Sequence, residues 1–127
     1  MNVLLLGNGG REHAIAWKLS QSSLLRTLHV APGNGGTRSF GTSADLDPMD
    51  FQSVERYIRK NQIDLVVVGP EAPLVNGIAD YLEDSKKVNV KVVGPRKAGA
   101  LLEGSKRFAK EFMHRHSIPT ARYGSFN

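Results

Sequence analysis

Apolar residues along this chain follow two alternating patterns. Short, largely apolar segments predict strands at residues 3–6, 27–30, 63–68 and 90–93, and continuous runs such as 65–68 are typical of strands buried on both faces of a parallel sheet. Between these segments, apolar residues recur at the spacing of amphipathic helices. Strands and helices that alternate in this order predict an α/β fold, a doubly wound, Rossmann-like parallel sheet with right-handed crossovers.

Capping residues indicate where the helices begin and end. Asp47, followed by Pro48 at the first turn and Asp50, predicts the start of a helix that ends at Asn61. The apolar residues of the segment 74–82 predict one further helix after the third strand. These helices are the crossover connections that a parallel sheet requires.

The C-terminal part of the chain predicts two more helices. A short helix stops at Gly104, and Ser105 can cap a second helix that extends to about residue 116. The buried face of this last helix is expected to carry three large apolar residues, Phe108, Phe112 and Met113.

Three glycines interrupt the chain directly after the first strand, at Gly7, Gly9 and Gly10. Glycine permits positive φ and leaves the backbone open to a ligand, while the first N–H groups of the following helix lack intrahelical partners. This arrangement favours an anion, most often a phosphate, at the glycine turn, where Arg11 could pair with it. The alternative is that the glycines only permit a sharp turn.

A dinucleotide site is the second interpretation of the same turn. The dinucleotide fingerprint has a third glycine where this chain has Glu12, and an acidic residue at the end of the second strand, where this chain has the sequence Ala-Pro-Gly-Asn at 31–34. Glu12 can instead favour the helix N-terminus by its charge. A dehydrogenase-type domain therefore ranks below a phosphate site, and a non-catalytic binding module is the third interpretation.

The other unusual loops also follow predicted strands. They lie at 32–41, 69–73 and 94–95, so all are expected to meet at the carboxyl edge of the sheet and form one site. The glycine-rich segment 32–41 is interpreted as a mobile surface loop. Glu71, between two prolines, is either a carboxylate directed at an amine or a sugar hydroxyl, or a solvated turn residue.

Composition excludes several classes of protein. The 127 residues support one domain, and no apolar run is long enough for a membrane span or a signal peptide. The absence of cysteine fits a reducing compartment, and a cytoplasmic location is predicted. The net charge of +5 comes from scattered basic residues, which predicts no nucleic-acid partner and only a modest attraction for anionic metabolites. The four histidines lack metal-binding spacing, and no nucleophile with an adjacent base is evident.

Several motifs in this order resemble the N-terminal part of the phosphoribosylamine-glycine ligase family, in the ATP-grasp superfamily. The matching segments run from Met1 to about Tyr123 and are Gly-Asn-Gly-Gly-Arg-Glu-His-Ala at 7–14, Ala-Pro-Gly-Asn at 31–34, Gly-Pro-Glu-Ala-Pro-Leu at 69–74, Leu-Glu-Gly-Ser-Lys at 102–106 and Ile-Pro-Thr at 118–120.

The resemblance implies an ATP-dependent ligase of purine biosynthesis that joins glycine to 5-phosphoribosylamine through an acyl phosphate. It implies that Gly9, Gly10 and Arg11 hold the ribose phosphate, that Glu71 faces the ribosylamine and that Lys106 contacts ATP. Residues 1–103 would then form a Rossmann-like, pre-ATP-grasp substrate-binding domain and 104–127 the start of a truncated ATP-grasp domain. Because family members are longer, we expect the ligands of Mg²⁺ or Mn²⁺ outside this chain, no catalytic residue within it and no ligase activity from it alone.

Overall fold

The computed structural model describes residues 1–124, which form one five-stranded parallel sheet with flanking helices. The strands stand in the order β3-β2-β1-β4-β5, and every neighbouring pair is parallel. Their bounds are β1 Asn2–Gly7, β2 Thr27–Pro32, β3 Thr42–Ser43, β4 Leu65–Val68 and β5 Lys91–Val93. The predicted doubly wound, Rossmann-like sheet is thereby confirmed.

Six α-helices connect or follow the strands in the described part of the chain. They are α1 Gly10–Ser20, α2 Phe51–Asn61, α3 Glu71–Val75, α4 Ile78–Glu83, α5 Lys97–Gly104 and α6 Lys106–Arg115. A single 3₁₀ turn spans Thr37–Ser39 between β2 and β3. Within residues 1–124, none of the helices combines the length and the apolar character needed to cross a bilayer.

The sheet buries a separate core cluster on each face, as the alternation of side chains along β1 requires. Leu4 and Leu6 belong to the cluster that contains residues of α2, α3 and α4. Val3 and Leu5 belong to the opposite cluster, which also contains Ala16 of α1. All four β1 side chains are at most 3% exposed, so β1 is the centre of the fold and fixes the position of the turn that follows it.

The start of α2 differs from the prediction that Asp47 is its cap. Asp50 is the N-cap, because its Oδ1 accepts a hydrogen bond of 3.0 Å from the Ser53 backbone N–H. Asp47 instead accepts a 2.8 Å hydrogen bond from the Met49 N–H, which forms a turn just before the helix. The helix ends at Asn61 as predicted, and Gln62 follows it in a left-handed conformation with a φ of +50°.

Two elements near the sheet edges were not predicted. The single helix expected over 74–82 is divided into α3 and α4, because Gly77 adopts a positive φ of +95° and breaks the helical backbone. The strand β3 is only two residues long and pairs with β2 at Thr42 and Ser43. The sheet therefore contains five strands where four were expected.

The C-terminal helix α6 begins as predicted, since the Ser105 Oγ accepts a 3.2 Å hydrogen bond from the Phe108 N–H. Its expected apolar face is only half-buried at Phe108, Phe112 and Met113, while Ala109 is buried. The helix therefore leaves large apolar side chains partly exposed.

Candidate functional site

The sheet changes its direction of winding at β1, since the chain passes from β1 to β2 on one side and later to β4 on the other. The turns after β1 and β4 consequently lie side by side, and the Gly69 N–H donates a 3.0 Å hydrogen bond to the Leu6 carbonyl. Ligands of open α/β sheets bind in the crevice at such a reversal. The predicted clustering of these loops therefore brings the glycine turn next to the segment that carries Glu71.

The turn after β1 is open on its outer side. Gly7 adopts a φ of +124°, and Gly9 is the N-cap of α1 in an extended conformation. Apart from its chain neighbours and the backbone of its own helix, no heavy atom lies within 4 Å of the position that a Cβ atom on Gly10 would take. Gly10 is exposed and opens the first helical turn, where the N–H groups lack intrahelical acceptors. The backbone at Gly10 and Arg11 is therefore accessible to an anion.

Arg11 links the two turns through its guanidinium group. Its Nε donates a 3.1 Å bond to the Glu12 carboxylate, and one terminal nitrogen lies 3.5 Å from the Glu71 Oε2. The Arg11 and Glu71 side chains are 55% and 53% exposed, so both remain accessible to a ligand. Glu71 is the first residue of α3, so its ion pair with Arg11 joins the start of α3 to the first turn of α1.

Hydrogen bonds favour the charged form of both groups and shift the pKa of each further from neutral pH. The hydrogen bond from Glu71's own backbone N–H, followed by that from Arg11, lowers the pKa of the Glu71 carboxyl below its usual value. The Glu12 carboxylate is the main cause that raises the pKa of Arg11. The site thus offers one cation and one accessible anion, which can orient a ligand that has a phosphate at one end and hydrogen-bond donors at the other.

Glu12 is buried, with only 3% of its surface exposed, although the sequence suggested only a favourable charge at the helix end. Its Oε2 accepts a 2.6 Å hydrogen bond from the Gly9 N–H. That amide is therefore already paired inside the protein. Gly10 and Arg11 are better placed to bind a ligand with their N–H groups than Gly9 is.

The segment 32–41 lies largely at the surface, and its Asn34 contacts the glycine turn. The Asn34 side chain donates to the carbonyl oxygens of Asn8 at 2.8 Å and Gly9 at 3.3 Å. Its Oδ1 accepts hydrogen bonds from the backbone N–H groups of Gly36 and Thr37, and Thr37 is fully buried. Asn34 therefore supports the turn from the β2 side. The sequence analysis missed this role, because the carbonyl groups that Asn34 binds belong to another loop.

Lys106 lies apart from the other predicted site residues in the hydrogen-bond network. It is an exposed residue that begins α6, directly after the cap Ser105. Within the described residues, no hydrogen bond or ion pair joins it to Arg11 or Glu71. The structure thus brings Gly9, Gly10, Arg11 and Glu71 together, and Lys106 begins a separate element.

The sheet and the position of the glycine turn place this chain among the Rossmann-like α/β domains, whose ligands bind at the carboxyl edge of the sheet. Comparison with known proteins gives a narrower assignment. Residues 1–103 match the family model described as "Phosphoribosylglycinamide synthetase, N domain". The chain therefore belongs to this family, which confirms the resemblance found in the sequence.

Curated relatives support this assignment over the whole chain. A phosphoribosylamine-glycine ligase from Mesorhizobium japonicum is 54% identical over 127 residues, which are 100% of this chain and 29% of the relative. The ligase of the same name from Rhodopirellula baltica is 49% identical and covers 98% of this chain and 28% of the relative. A trifunctional purine biosynthetic protein from Drosophila pseudoobscura pseudoobscura is 48% identical over 98% of this chain and 9% of its own length. The chain thus spans less than a third of these relatives.

Solved structures agree with the fold. The crystal structure of phosphoribosylamine-glycine ligase from Thermotoga maritima superposes with a TM-score of 0.67 at 34% identity, over 96% of this chain and 26% of that one. Apo saccharopine dehydrogenase from Saccharomyces cerevisiae superposes with a TM-score of 0.53 at 19% identity, over 77% of this chain and 23% of that one. The second likeness shows the fold alone and does not support a dehydrogenase function.

Proposed function

We propose that this chain provides the sugar-phosphate site of an ATP-dependent carboxylate-amine ligase. The ligase joins glycine to 5-phosphoribosylamine in cytoplasmic purine biosynthesis and yields glycinamide ribonucleotide, ADP and phosphate. The names of relatives up to 54% identical support this proposal. The observation that carries it at the site is the accessible Arg11 guanidinium, which lies at the open first turn of α1 and reaches Glu71 on the neighbouring turn.

The phosphate of the ribosylamine is assigned to the glycine turn. The N–H groups of Gly10 and Arg11 and the positive end of the α1 dipole favour an anion there. The Arg11 guanidinium adds a charge-assisted, two-pronged donor for phosphate oxygens. Gly9 contributes mainly by shape, because its N–H is paired with Glu12.

Glu71 is assigned to the other end of the same substrate. A glutamate carboxylate is ionised at neutral pH, and the hydrogen bonds from its own N–H and from Arg11 lower the pKa of Glu71 further. An ionised carboxylate accepts hydrogen bonds from an amine or from ribose hydroxyls. In this role Glu71 orients the amine, and Arg11 keeps the carboxylate and the phosphate at a fixed separation.

The proposed chemistry proceeds in two transfers. A glycine carboxylate oxygen attacks the terminal phosphorus of ATP, which forms an acyl phosphate and releases ADP. The amine nitrogen of phosphoribosylamine then attacks the carbonyl carbon, loses a proton and expels phosphate as the C–N bond forms. The residues described here bind and orient the amine partner, which lowers the entropic cost of the second step.

ATP and Mg²⁺ or Mn²⁺ are assigned to the whole ligase. We propose that residues 104–127 begin the second, ATP-grasp domain and that Lys106 contacts ATP there; the end of the family match at residue 103 supports this boundary. Within residues 1–124 there is no cluster of three His, Asp or Glu side chains able to hold a metal.

The test is a titration of this chain with ribose 5-phosphate, a stable analogue of the ribosylamine, followed by backbone amide NMR. We expect saturable shifts at Gly10 and Arg11, and no comparable response to NADH. A stronger response to NADH would favour the dinucleotide-binding alternative. Ribose 5-phosphate shifts confined to other residues would refute the assignment to this turn and favour a non-catalytic binding module.

Gly10→Asp provides the matched perturbation. The structure has room for the side chain, so the fold should persist, and an acidic residue in the first turn of a helix is favourable. Two unit charges about 4 Å apart repel by about 1 kcal/mol in water and about 4 kcal/mol at an effective dielectric constant of about 20. We therefore expect at least tenfold weaker binding of ribose 5-phosphate. The uncharged control, Gly10→Asn, should lose much less.

A further inference from the structure

Glu12 occupies a space that three glycines leave open. A Cβ atom on Gly7 would lie 2.6 Å from the Glu12 Cγ, and one on Gly9 would lie 3.0 Å from its Oε2. A Cβ atom on Gly69 would lie 2.7 Å from Cγ and overlap Oε1. These separations are shorter than ordinary carbon contacts, so no larger residue fits at Gly7 or Gly69 while Glu12 stays in place.

This space is the crevice at the reversal of strand order. Gly7 and Gly9 border β1, and Gly69 follows the neighbouring β4, so the Glu12 side chain lies between the two strand ends. In the dinucleotide fingerprint the corresponding third glycine allows the helix to pack closely on the strand. Here the glycine is replaced by a buried carboxylate, and Gly69 on the adjacent strand provides the room for it.

The buried carboxylate has two partners, and both belong to the turn. Its Oε2 binds the Gly9 N–H at 2.6 Å, and its Oε1 binds the Arg11 Nε at 3.1 Å. Burial of a carboxylate is unfavourable unless such partners compensate it. The same bonds fix the backbone at Gly9 and hold the near edge of the Arg11 guanidinium, which leaves the terminal nitrogen directed at Glu71.

A negative charge at this position also affects which ligands can enter. A phosphomonoester can remain at the mouth of the site, where it meets Gly10 and Arg11. A diphosphate that lies across the glycine turn, as in dinucleotide-binding domains, would bring a second phosphate toward the Glu12 carboxylate and would find the Gly9 N–H already paired. Like charges in a crevice of low dielectric constant repel strongly.

We propose that Glu12 is a positioning and selectivity-determining residue, which holds Gly9 and Arg11 in place for a sugar phosphomonoester and excludes diphosphate ligands from the crevice. The claim that Glu12 positions the turn for a sugar phosphomonoester rests on the proposed function. The claim that Glu12 excludes diphosphates rests only on the geometry of the crevice. The two claims can therefore be tested separately.

The experiment compares Glu12→Gln with the unchanged chain, since glutamine keeps the volume and removes the charge. Dissociation constants are measured by calorimetry for ribose 5-phosphate and for ADP-ribose, which has a diphosphate. We expect the ratio of the two dissociation constants, which measures the preference for ribose 5-phosphate over ADP-ribose, to fall at least tenfold in Glu12→Gln. The substitution removes the carboxylate that holds Arg11 in place, and it also removes the negative charge that repels the diphosphate. A purely structural role would weaken both ligands equally and leave the ratio unchanged.

Glu55→Gln is the matched control. Glu55 is similarly buried, at 5% exposed, and its carboxylate accepts hydrogen bonds from Ser85 and Lys87, away from the glycine turn. Its substitution should leave the ligand preference within about twofold of the unchanged chain. Urea unfolding of both variants confirms that the folded state is compared.

The outcomes separate this inference from the proposed function. If the unchanged chain fails to bind ribose 5-phosphate but Glu12→Gln gains affinity for ADP-ribose, the proposed function fails and the exclusion by Glu12 stands. If ribose 5-phosphate binds as expected and the preference does not change in Glu12→Gln, the proposed function stands and this inference is wrong. If neither ligand binds either protein, both are wrong.

Discussion

The contact between Gly69 and Glu12 can be tested with a Gly69→Ala substitution. The added methyl carbon would lie 2.7 Å from the Cγ and Cδ of Glu12, about 1 Å inside an ordinary carbon contact. Gly69 does not have a positive φ, so its backbone conformation does not require glycine and steric overlap dominates the effect. Either the core shifts, which costs about 1–3 kcal/mol, or the carboxylate leaves the crevice.

Displacement of the carboxylate carries its own cost. It breaks the 2.6 Å bond from the Gly9 N–H, and a hydrogen bond to a charged group contributes about 1.5–3 kcal/mol. Either route gives a similar cost, so we expect Gly69→Ala to lower the free energy of unfolding by about 1–3 kcal/mol. Urea unfolding followed by far-ultraviolet circular dichroism at 25 °C measures this value if the m-value stays constant.

A double-mutant cycle with Glu12→Ala shows whether this contact is the cause. Once the Glu12 side chain is shortened, the methyl group at position 69 enters vacated space and should cost less than about 0.5 kcal/mol, so the coupling energy is expected to reach about 2 kcal/mol. Gly10→Ala is the control for glycine replacement in an open position and should be neutral or slightly stabilising. Additive effects of Gly69→Ala and Glu12→Ala would refute the crevice packing.

Two further predictions concern stability away from the turn. The hydrogen bond from Ser85 is the main cause that lowers the pKa of the Glu55 carboxyl below its usual 4.5. The ionised carboxylate therefore stabilises the fold above about pH 4.5, and this stabilisation is lost as the pH falls through the lower pKa of the folded state. The stability difference between the unchanged chain and Glu55→Gln should accordingly shrink from pH 7 to pH 3 in urea titrations, and a constant difference would contradict this linkage. Ser105→Ala removes the cap of α6, so the free energy of unfolding should fall by about 1 kcal/mol and amide hydrogen exchange in the first turn of α6 should become faster. Unchanged exchange at the Phe108 N–H would show that the cap does not stabilise the helix.

The sequence predicted the sheet because its central strands are apolar on both faces. Leu4 and Leu6 enter one core and Val3 and Leu5 the other, so a continuous apolar run carried the full signal for a buried parallel strand. The sequence did not decide which aspartate caps α2, because Asp47 and Asp50 both lie just before the apolar residues that recur at helical spacing. Only the position of the Ser53 N–H distinguishes them. The strand β3 was missed because two residues carry no periodic pattern.

The sequence predicted which loops form the site, but it did not predict the buried contacts beneath them. The glycines after β1 and the carboxylate after β4 could be placed at one edge of the sheet from the order of elements alone. The burial of Glu12 was not visible, because it depends on Gly69, which is 57 positions away in the chain and adjacent only in the folded sheet. The role of Asn34 likewise depends on carbonyl groups of another loop. Pairwise contacts of this kind carry no local signature.

The lengths of the two outer strands affect how copies of this chain meet in solution. The sheet ends in β3, with two residues, and in β5, with three. An unpaired strand edge can recruit the backbone of a second molecule, and long flat edges are the usual starting points of aggregation. Edges of this length offer only a few ladder hydrogen bonds to a neighbour, so the sheet resists growth by strand addition even at the high concentrations that the titrations above require.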